Sequence, residues 1–136
     1  DVEVHQAIGS FVLQQIGLVA LGGGIGAVMR YLTSEWLATD GFPWATFVVN
    51  LVGSLFLGAL AVALAEHVVS QNVVLLLGTG LLGGLTTMST FSVETIRMFE
   101  EQQSGLAFTY VGLTMVLCPL MALIGWRLST IITASS

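Results

Sequence analysis

Four long runs without Asp, Glu, Lys or Arg constrain this chain more than any other feature. Each run contains 25 to 27 residues, and the runs cover residues 4–29, 41–65, 67–93 and 102–126. A helix needs about 20 mainly apolar residues to cross the hydrocarbon core of a bilayer, so each run predicts one transmembrane helix. We therefore expect an all-α, multi-pass membrane protein that contacts lipid over most of its surface.

The predicted helices fill the chain and leave no room for a soluble module. We expect one domain, residues 1–136, with helices at about 11–37, 43–65, 73–99 and 106–130. Gln14 and Gln15 dilute the first run and no basic leader precedes it, so we interpret its start as a short amphipathic lead-in rather than a signal peptide. Gly22 and Gly26, four residues apart, predict a helix that another helix approaches closely.

The composition excludes several classes of protein. Three basic residues against eight acidic ones give a net charge of −5 without a basic cluster, so nucleic acid is not an expected partner. Cys118 is the single cysteine, which excludes an intramolecular disulfide and a cysteine-based metal cluster. His5 and His67 lie near segment ends, where surface positions explain them, and an intramembrane hydrolase or other enzyme is not expected.

The third run contains the most unusual stretch, Gly78–Glu94, which reads GTGLLGGLTTMSTFSVE. Four glycines, which weaken a helix, are followed by five hydroxyl residues. Non-helical backbone at membrane depth survives only where it is buried in protein or lines a cavity. We predict a helix broken at Gly83–Thr86, with freed carbonyls that suit a cation such as Na+, next to an ion path.

Polar residues on two other helices extend this prediction. Asn50 lies seven residues into helix 2 with Thr46 one turn before it, and it either hydrogen-bonds a neighbouring helix or lines a pore. Tyr110, Thr114 and Cys118 share one face of helix 4, and that face either contacts a neighbour or lines the same path.

Most groups in this polar set are hydrogen-bond donors, which an anion needs and which carbonyls cannot provide. Phe91 adds the electropositive edge of an aromatic ring. The pattern favours an anion path beside a cation site without identifying the anion. The donors are Thr46, Asn50, Ser89, Thr90, Tyr110 and Thr114.

The arginines bear on topology. Arg127 falls on the N-terminal side of the bundle, Arg30 and Arg97 fall on the other side, and the chain contains no lysine. So small a bias permits insertion in both orientations. Because four helices are too few to surround a pore, we expect a homodimer, and the even charge distribution permits a chain to pair with its inverted copy. By position alone, Arg30 is an anchor that reaches the membrane interface.

Three motifs, in this order, resemble the signatures of the Fluc family of fluoride channels, and the resemblance covers all four helices. They read GGGIGAVMRY, ATFVVNLVG and GLLGGLTTMSTFSVE. The resemblance implies a dual-topology antiparallel homodimer with two fluoride pores, which exports fluoride passively across the cell membrane and relieves fluoride toxicity. It also implies a structural Na+ held by backbone carbonyls at positions that match Gly83 and Thr86.

Residue by residue, the resemblance implies a fluoride pathway and a charged vestibule. Asn50 matches the family's pore asparagine, and Phe91 matches the second of its two pore phenylalanines. Arg30 matches a basic residue that draws anions to the vestibule, and Glu94 matches an acidic position. The remaining matches are polar residues along the pathway, and they are Ser89, Thr90, Tyr110 and Thr114.

The chain departs from the family pattern at three positions. Met88 occupies the first pore-phenylalanine position, Ala45 replaces a glycine, and Cys118 stands where a small residue is common. Methionine has no ring quadrupole, although its flexible side chain fills a similar volume. We expect fluoride still to pass along Met88, because Asn50, Phe91 and the hydroxyl groups remain.

Two other functions compete with this interpretation. A small proton-coupled multidrug-type exporter needs a carboxylate at mid-membrane, and Glu94, towards the end of helix 3, is the nearest candidate. A non-transporting assembly subunit needs only glycine packing and polar contacts between helices. That role leaves the five hydroxyl residues and Phe91, next to a Gly-Gly pair, unexplained.

Overall fold

The computed structural model describes the backbone of residues 2–135 and the side chains of residue 6 and residues 8–135. Every described element is helical, which confirms the all-α prediction. The third predicted helix is divided between α3 and α4. The elements are α1 Val2–Trp36, α2 Trp44–Ala65, α3 residues 71–85, α4 Met88–Glu100 and α5 Ser104–Ala134.

Four segments are long and apolar enough to cross a membrane, which confirms a multi-pass membrane protein. They are Ile8–Trp36, Trp44–Ala65, Gln71–Glu100 and Ser104–Ala134. The expected lead-in to helix 1 is not a separate element, since α1 is one continuous helix of 35 residues from Val2. Likewise α5 continues through Pro119 to Ala134, four residues beyond the predicted end.

Helices α1 and α3 pack with their backbones in contact, as the glycine spacing predicts. A Cβ at Gly22 would collide with the carbonyl oxygen of Leu76, and a Cβ at Gly26 would collide with that of Leu81. Small residues at this spacing let two membrane helices approach closely enough for backbone van der Waals contact. Helices α2 and α5 pack in the same way, since a Cβ at Gly58 would collide with the carbonyl oxygen of Ala122.

Two apolar clusters fix α2 against the two halves of the broken helix. Val49 packs with Leu82 and Leu85 of α3. The larger cluster lies between α2, α4 and α5, and it contains Phe47, Phe91, Met98, Ala107 and Tyr110. Because α2 contacts both halves, it sets the position of the break between them.

The break lies later than predicted. Gly83 has helical backbone angles, φ −64° and ψ −37°, whereas Thr86 has ψ 153° and Thr87 has φ −152° and ψ 121°. The extended residues are therefore the two threonines. The neighbouring glycine, Gly84, serves packing instead, since a Cβ there would lie 2.5 Å from the Gly23 carbonyl oxygen of α1.

The π-helical geometry within α3 was not predicted. An α-helical turn, Gln71–Val73, leads into a π-helix at Val74–Leu82, and Gly83–Leu85 returns to α-helical geometry. π-Helical segments are rare and occur frequently at functional sites. Gly78 and Gly80 are buried inside this segment, and a Cβ at Gly80 would lie 2.9 Å from Gly22 Cα of α1.

Candidate functional site

The break between α3 and α4 is held by a side chain from another helix. Asn50 Oδ1 of α2 accepts a hydrogen bond of 2.8 Å from the Thr87 N–H, and Asn50 Nδ2 donates one of 3.1 Å to the Thr87 carbonyl. Thr87 is buried, so both of its backbone groups need partners. A carboxamide meets both needs because it presents an acceptor and a donor side by side.

This exchange leaves two backbone carbonyls without their helical donors. In a continuous α-helix the Thr87 N–H would bond the Gly83 carbonyl, but it donates to Asn50 instead. The Thr90 N–H would bond the Thr86 carbonyl, but it donates to Thr87 Oγ1 at 3.2 Å. The residues predicted to hold a cation, Gly83 and Thr86, are thus among those whose carbonyls lose their helical donors. Gly84 and Leu85 also lose theirs at this helix end, and the Gly84 carbonyl accepts from Arg30 instead.

The hydroxyl groups that follow the break cap the start of α4. Thr87 is the N-cap residue, and its hydroxyl also contacts Ser89 Oγ and Thr90 Oγ1, each at 3.1 Å. The backbone N–H groups of Met88 and Ser89 belong to the first turn, where no intrahelical acceptor exists. Donors and the positive end of the helix dipole therefore face the break.

A second polar cluster centres on Glu94, one turn of α4 beyond Thr90. Thr46 Oγ1 of α2 donates to Glu94 Oε1 at 2.8 Å, and the Tyr110 hydroxyl of α5 donates to Glu94 Oε2 at 2.7 Å. The Phe91 ring packs on Tyr110 with centroids 4.9 Å apart. Tyr110 has no exposed surface and Phe91 is 5% exposed, so this cluster, the Glu94 cluster, lies inside the protomer.

Two cavities lie on either side of the Glu94 cluster. The first, here called the vestibule, has a volume of about 320 Å³ at the Trp36 end of the bundle, and its wall includes Glu94, Arg97 and Glu101. The second, here called the groove, has a volume of about 340 Å³. The groove is lined by Asn50, Gly53, Ser54, Leu57, Thr86, Thr87, Met88, Thr114, Met115, Cys118 and Pro119.

Helices α2 and α4 each contribute to both cavities and to the cluster between them, and α5 contributes to the cluster and the groove. Along α4, Met88 lines the groove, Phe91 is buried, and Glu94 lines the vestibule. Along α5, Tyr110 lies in the cluster and Thr114 lines the groove. Five of the residues predicted from sequence thus lie at the two cavities or between them, namely Thr46, Asn50, Glu94, Tyr110 and Thr114. Ser89 and Thr90 contact the Thr87 hydroxyl and line neither cavity.

The Thr114 hydroxyl, unlike those of Thr46 and Tyr110, lacks a hydrogen-bond partner among the described residues. Its side chain is 6% exposed, and among the residues that the structure describes its Oγ1 is the buried side-chain polar atom without a hydrogen-bond partner. Such a group carries a desolvation penalty of about 1–3 kcal/mol. Thr114 lines the groove, whose wall is mainly apolar, and a hydrogen-bond acceptor that reached its hydroxyl would remove this penalty.

Arg30 contacts the backbone beside the break, and its role as a vestibule charge stays a prediction. Its Nε donates to the carbonyl oxygen of Gly84 at 3.2 Å, which joins α1 to the last turn of α3. The vestibule wall contains Arg97 and does not include Arg30. A cation near the C-terminal end of a helical segment interacts favourably with the helix dipole, so Arg30 stabilises the turn before the break.

Sequence reasoning missed two residues of this site. Thr87 connects Asn50 to the capping hydroxyls, and Gly53 provides the space that Thr86 occupies, because a Cβ at Gly53 would collide with Thr86 Cγ2. The available signals were the adjacent threonines after the glycines and the three-residue spacing from Asn50 to Gly53.

Four membrane-spanning helices, one of them broken beside a route lined with hydrogen-bond donors, define the class of small multi-pass ion-conducting proteins. The family model described as "CrcB-like protein, Camphor Resistance (CrcB)" matches residues 17–126. The chain belongs to this family, whose signatures the three sequence motifs resemble.

Relatives of similar length carry a functional name. The protein "Fluoride-specific ion channel FluC 1" of Ligilactobacillus salivarius is 44% identical over 106 residues, which are 76% of this chain and 89% of the relative. Proteins named "Fluoride-specific ion channel FluC" include that of Agrobacterium fabrum, 44% identical over 74% of this chain and 84% of its own length. That of Oceanobacillus iheyensis is 42% identical over 86% of this chain and 92% of its own length.

Proposed function

We propose that this protein is a fluoride channel, which conducts the ion passively between the vestibule and the groove of each protomer. The observation that carries the proposal is the buried Thr114 hydroxyl, which has no hydrogen-bond partner within the described residues and lines the groove with Asn50. Membership of a family whose relatives are named fluoride-specific channels identifies the ion.

The chemistry of the groove suits a small anion. Asn50 uses one of its two amide hydrogens for Thr87, so the second hydrogen is available. The Thr114 hydroxyl and the first-turn N–H groups of α4 add donors of the same kind. Fluoride is the smallest halide and accepts strong hydrogen bonds, so a few convergent donors can replace part of its hydration shell. The relatives of this chain are named as channels.

The Glu94 cluster lies between the cavities and has to be crossed. Its hydroxyl donors, Thr46 and Tyr110, are held by the Glu94 carboxylate. An anion that reached these hydroxyls would replace carboxylate oxygens as their acceptor, while the edge of the Phe91 ring would provide a weakly positive contact. Glu94 thus holds both donors in place between the cavities, and passage requires the anion to accept a hydrogen bond from at least one of them.

An antiparallel homodimer is the assembly we propose. The absence of lysine and the placement of the three arginines permit both membrane orientations. Within one protomer, α4 leaves Met88, Val93 and Ile96 about 60% exposed, and Ser89 is also exposed. A second copy is the partner that would cover this face. Crosslinking of single-cysteine variants in native membranes, in a Cys118→Ser background, tests the antiparallel arrangement.

The cation proposed for the dimer is a structural Na+. The Gly83 and Thr86 carbonyls fit this role because both have lost their helical donors, and carbonyls freed at a helix break are typical Na+ ligands. When bound there, Na+ supplies the positive charge that stabilises several partly negative carbonyl oxygens close to one another. Replacing sodium by N-methylglucamine is expected to lower the dimer's thermal midpoint, and an unchanged midpoint would count against the cation site.

The decisive experiment compares fluoride and chloride efflux from proteoliposomes in parallel. Vesicles that contain the protein are expected to release fluoride, measured with a fluoride-selective electrode, and to retain chloride. Protein-free vesicles and vesicles with the Asn50→Ala variant are the controls. Equal release of both anions would disprove selectivity, and no release of either would disprove the channel proposal.

A further inference from the structure

Sulfur-containing side chains gather on the wall of the groove. The chain has five methionines and one cysteine, and three of these six residues line the same cavity of about 340 Å³. They are Met88, Met115 and Cys118. Fluoride conduction gives no reason for this grouping, because sulfur is a poor hydrogen-bond donor to a hard anion.

The three sulfur groups come from two helices and are accessible. Met88 is the first residue of α4 and is 62% exposed, while Met115 of α5 is 47% exposed. Cys118 follows on α5, is half-buried, and is a free thiol. Methionine has three rotatable side-chain bonds, so the thioethers of Met88 and Met115 can adopt several orientations at the cavity wall.

An independent observation indicates that this cavity receives a ligand. The Thr114 hydroxyl is more than nine-tenths buried, lacks a hydrogen-bond partner among the described residues, and lines the cavity one turn before Cys118. Asn50 lines the same cavity, so polar groups and sulfur atoms share its wall.

We propose that the groove is also a binding site for one soft monovalent d10 cation, Cu(I) or Ag(I), held by Cys118 with thioether support from Met88 and Met115. Thiolate and thioether sulfur select such soft cations, whereas Na+ and other hard cations prefer oxygen. On binding, the Cys118 thiol releases its proton to water and a metal–sulfur bond forms. No oxidation or reduction takes place.

The charge balance suits a site at membrane depth. The cation replaces the proton that leaves, so the net charge of the cavity stays constant and no isolated ion is buried. Since the same cavity contains Asn50 and Thr114, a bound metal would obstruct the anion route. This consequence rests on the proposed fluoride function, whereas the binding itself does not.

Silver binding to the purified full-length protein tests the site directly. Isothermal titration with silver nitrate in chloride-free buffer is expected to give one Ag+ per chain. The variant Cys118→Ser should bind at least about tenfold more weakly, as the loss of a principal ligand predicts. Met88→Leu and Met115→Leu should each weaken binding severalfold. Met121→Leu, on the same helix but outside the groove, is the matched control and should bind as the unmodified protein does.

Two results would overturn the proposal. Equal silver affinity in the unmodified protein and Cys118→Ser would show that the thiol is not the ligand. Equal affinity in Met88→Leu, Met115→Leu and Met121→Leu would show a lone reactive thiol without a built site. Sulfur coordination in the X-ray absorption spectrum of the silver complex, with more than one sulfur per metal, is the expected spectroscopic result.

Measurements of fluoride efflux distinguish a failure of the proposed metal site from a failure of the proposed channel function. Silver is expected to inhibit efflux through the unmodified protein and through Met121→Leu, and to inhibit Cys118→Ser at least about tenfold less potently. Full efflux at saturating silver would show that the metal does not obstruct the route. Absence of efflux before silver is added would instead contradict the channel function, and the calorimetric binding result would stand.

Discussion

The Glu94 cluster and the groove contain similar buried hydroxyl groups, which differ in whether they have hydrogen-bond partners. In the Glu94 cluster, Thr46 and Tyr110 both donate to one carboxylate at 2.7–2.8 Å. In the groove, Thr114 has no partner within the described residues, although it is as buried as Thr46. Buried polar groups are nearly always hydrogen-bonded. The desolvation of the Thr114 hydroxyl is therefore not offset by a partner among the described residues, whereas the Thr46 and Tyr110 hydroxyls restrain the Glu94 side chain.

The largest expected effect comes from Asn50, which belongs to the groove and also holds the break. Asn50→Ala removes the partners of the buried Thr87 N–H and carbonyl, at about 1–3 kcal/mol for each unsatisfied group. We expect a lower thermal midpoint and fluoride efflux reduced to background. Asn72→Ala, at the start of α3, is the control. Normal efflux and melting of Asn50→Ala would show that another contact fixes the break.

The second-largest expected effect comes from Glu94, and it tests the Glu94 cluster. Glu94→Gln keeps one acceptor but presents an N–H group where Thr46 or Tyr110 donates, so it loses one hydrogen bond to a charged group, worth about 1.5–3 kcal/mol. We expect fluoride efflux to fall by roughly tenfold.

Glu101→Gln is the control for Glu94→Gln, because Glu101 also lines the vestibule but is exposed. If both variants lost efflux equally, vestibule charge rather than hydrogen bonding would be the cause. Proton-driven dye uptake that Glu94→Gln abolishes would favour the exporter alternative instead.

A third substitution should separate stability from conduction. Thr114→Val removes the unpartnered hydroxyl at nearly constant shape, so the desolvation penalty of about 1–3 kcal/mol disappears. We expect an equal or higher thermal midpoint together with severalfold slower fluoride efflux. Thr109→Val is the matched control, since the Thr109 hydroxyl donates to Gly105 on an exposed face of α5. A loss of stability in Thr114→Val would mean that the hydroxyl has a structural partner.

The smallest expected effect is at Met88, where the chain departs from the family pattern. Met88 is 62% exposed on the groove wall, so Met88→Phe changes the surface that fluoride passes without disturbing the core. Efflux should stay within about threefold of the unmodified protein, which corresponds to less than 1 kcal/mol. Efflux that appeared only in Met88→Phe would show that methionine blocks the route.

The sequence was sufficient to predict the elements of the fold. Uncharged runs predict spans because a bilayer imposes their length, and Gly22 and Gly26 predict the α1–α3 contact because backbones approach only where side chains are absent. The break was predicted at Gly83–Thr86, and the extended residues are Thr86 and Thr87, so its predicted start was three residues early and its predicted end one residue early. Glycine permits a break, but the residue that becomes extended is the one that finds other hydrogen-bond partners, and for Thr87 these lie on α2.

The polar residues of the site were also recognisable from sequence, but their pairing was not. We predicted Thr46 and Tyr110 as hydrogen-bond donors to an anion, because nothing in the sequence shows that both hydroxyls lie within 2.8 Å of the Glu94 carboxylate. Arg30 read as a vestibule charge, whereas the fold directs its Nε to the Gly84 carbonyl. Pairing depends on the rotation of each helix about its axis, which contacts between helices determine and local spacing does not.

The Asn50–Thr87 exchange also has a consequence for how the protein is made. The residue that releases the third helix from regular geometry belongs to the second, which leaves the ribosome first and is already in the membrane when α3 and α4 emerge. Until they dock on α2, the stretch that joins them lacks the partner that replaces its helical hydrogen bonds. The defect in the third helix is therefore acquired during assembly, and an isolated peptide of residues 71–100 is expected to form one uninterrupted helix in lipid.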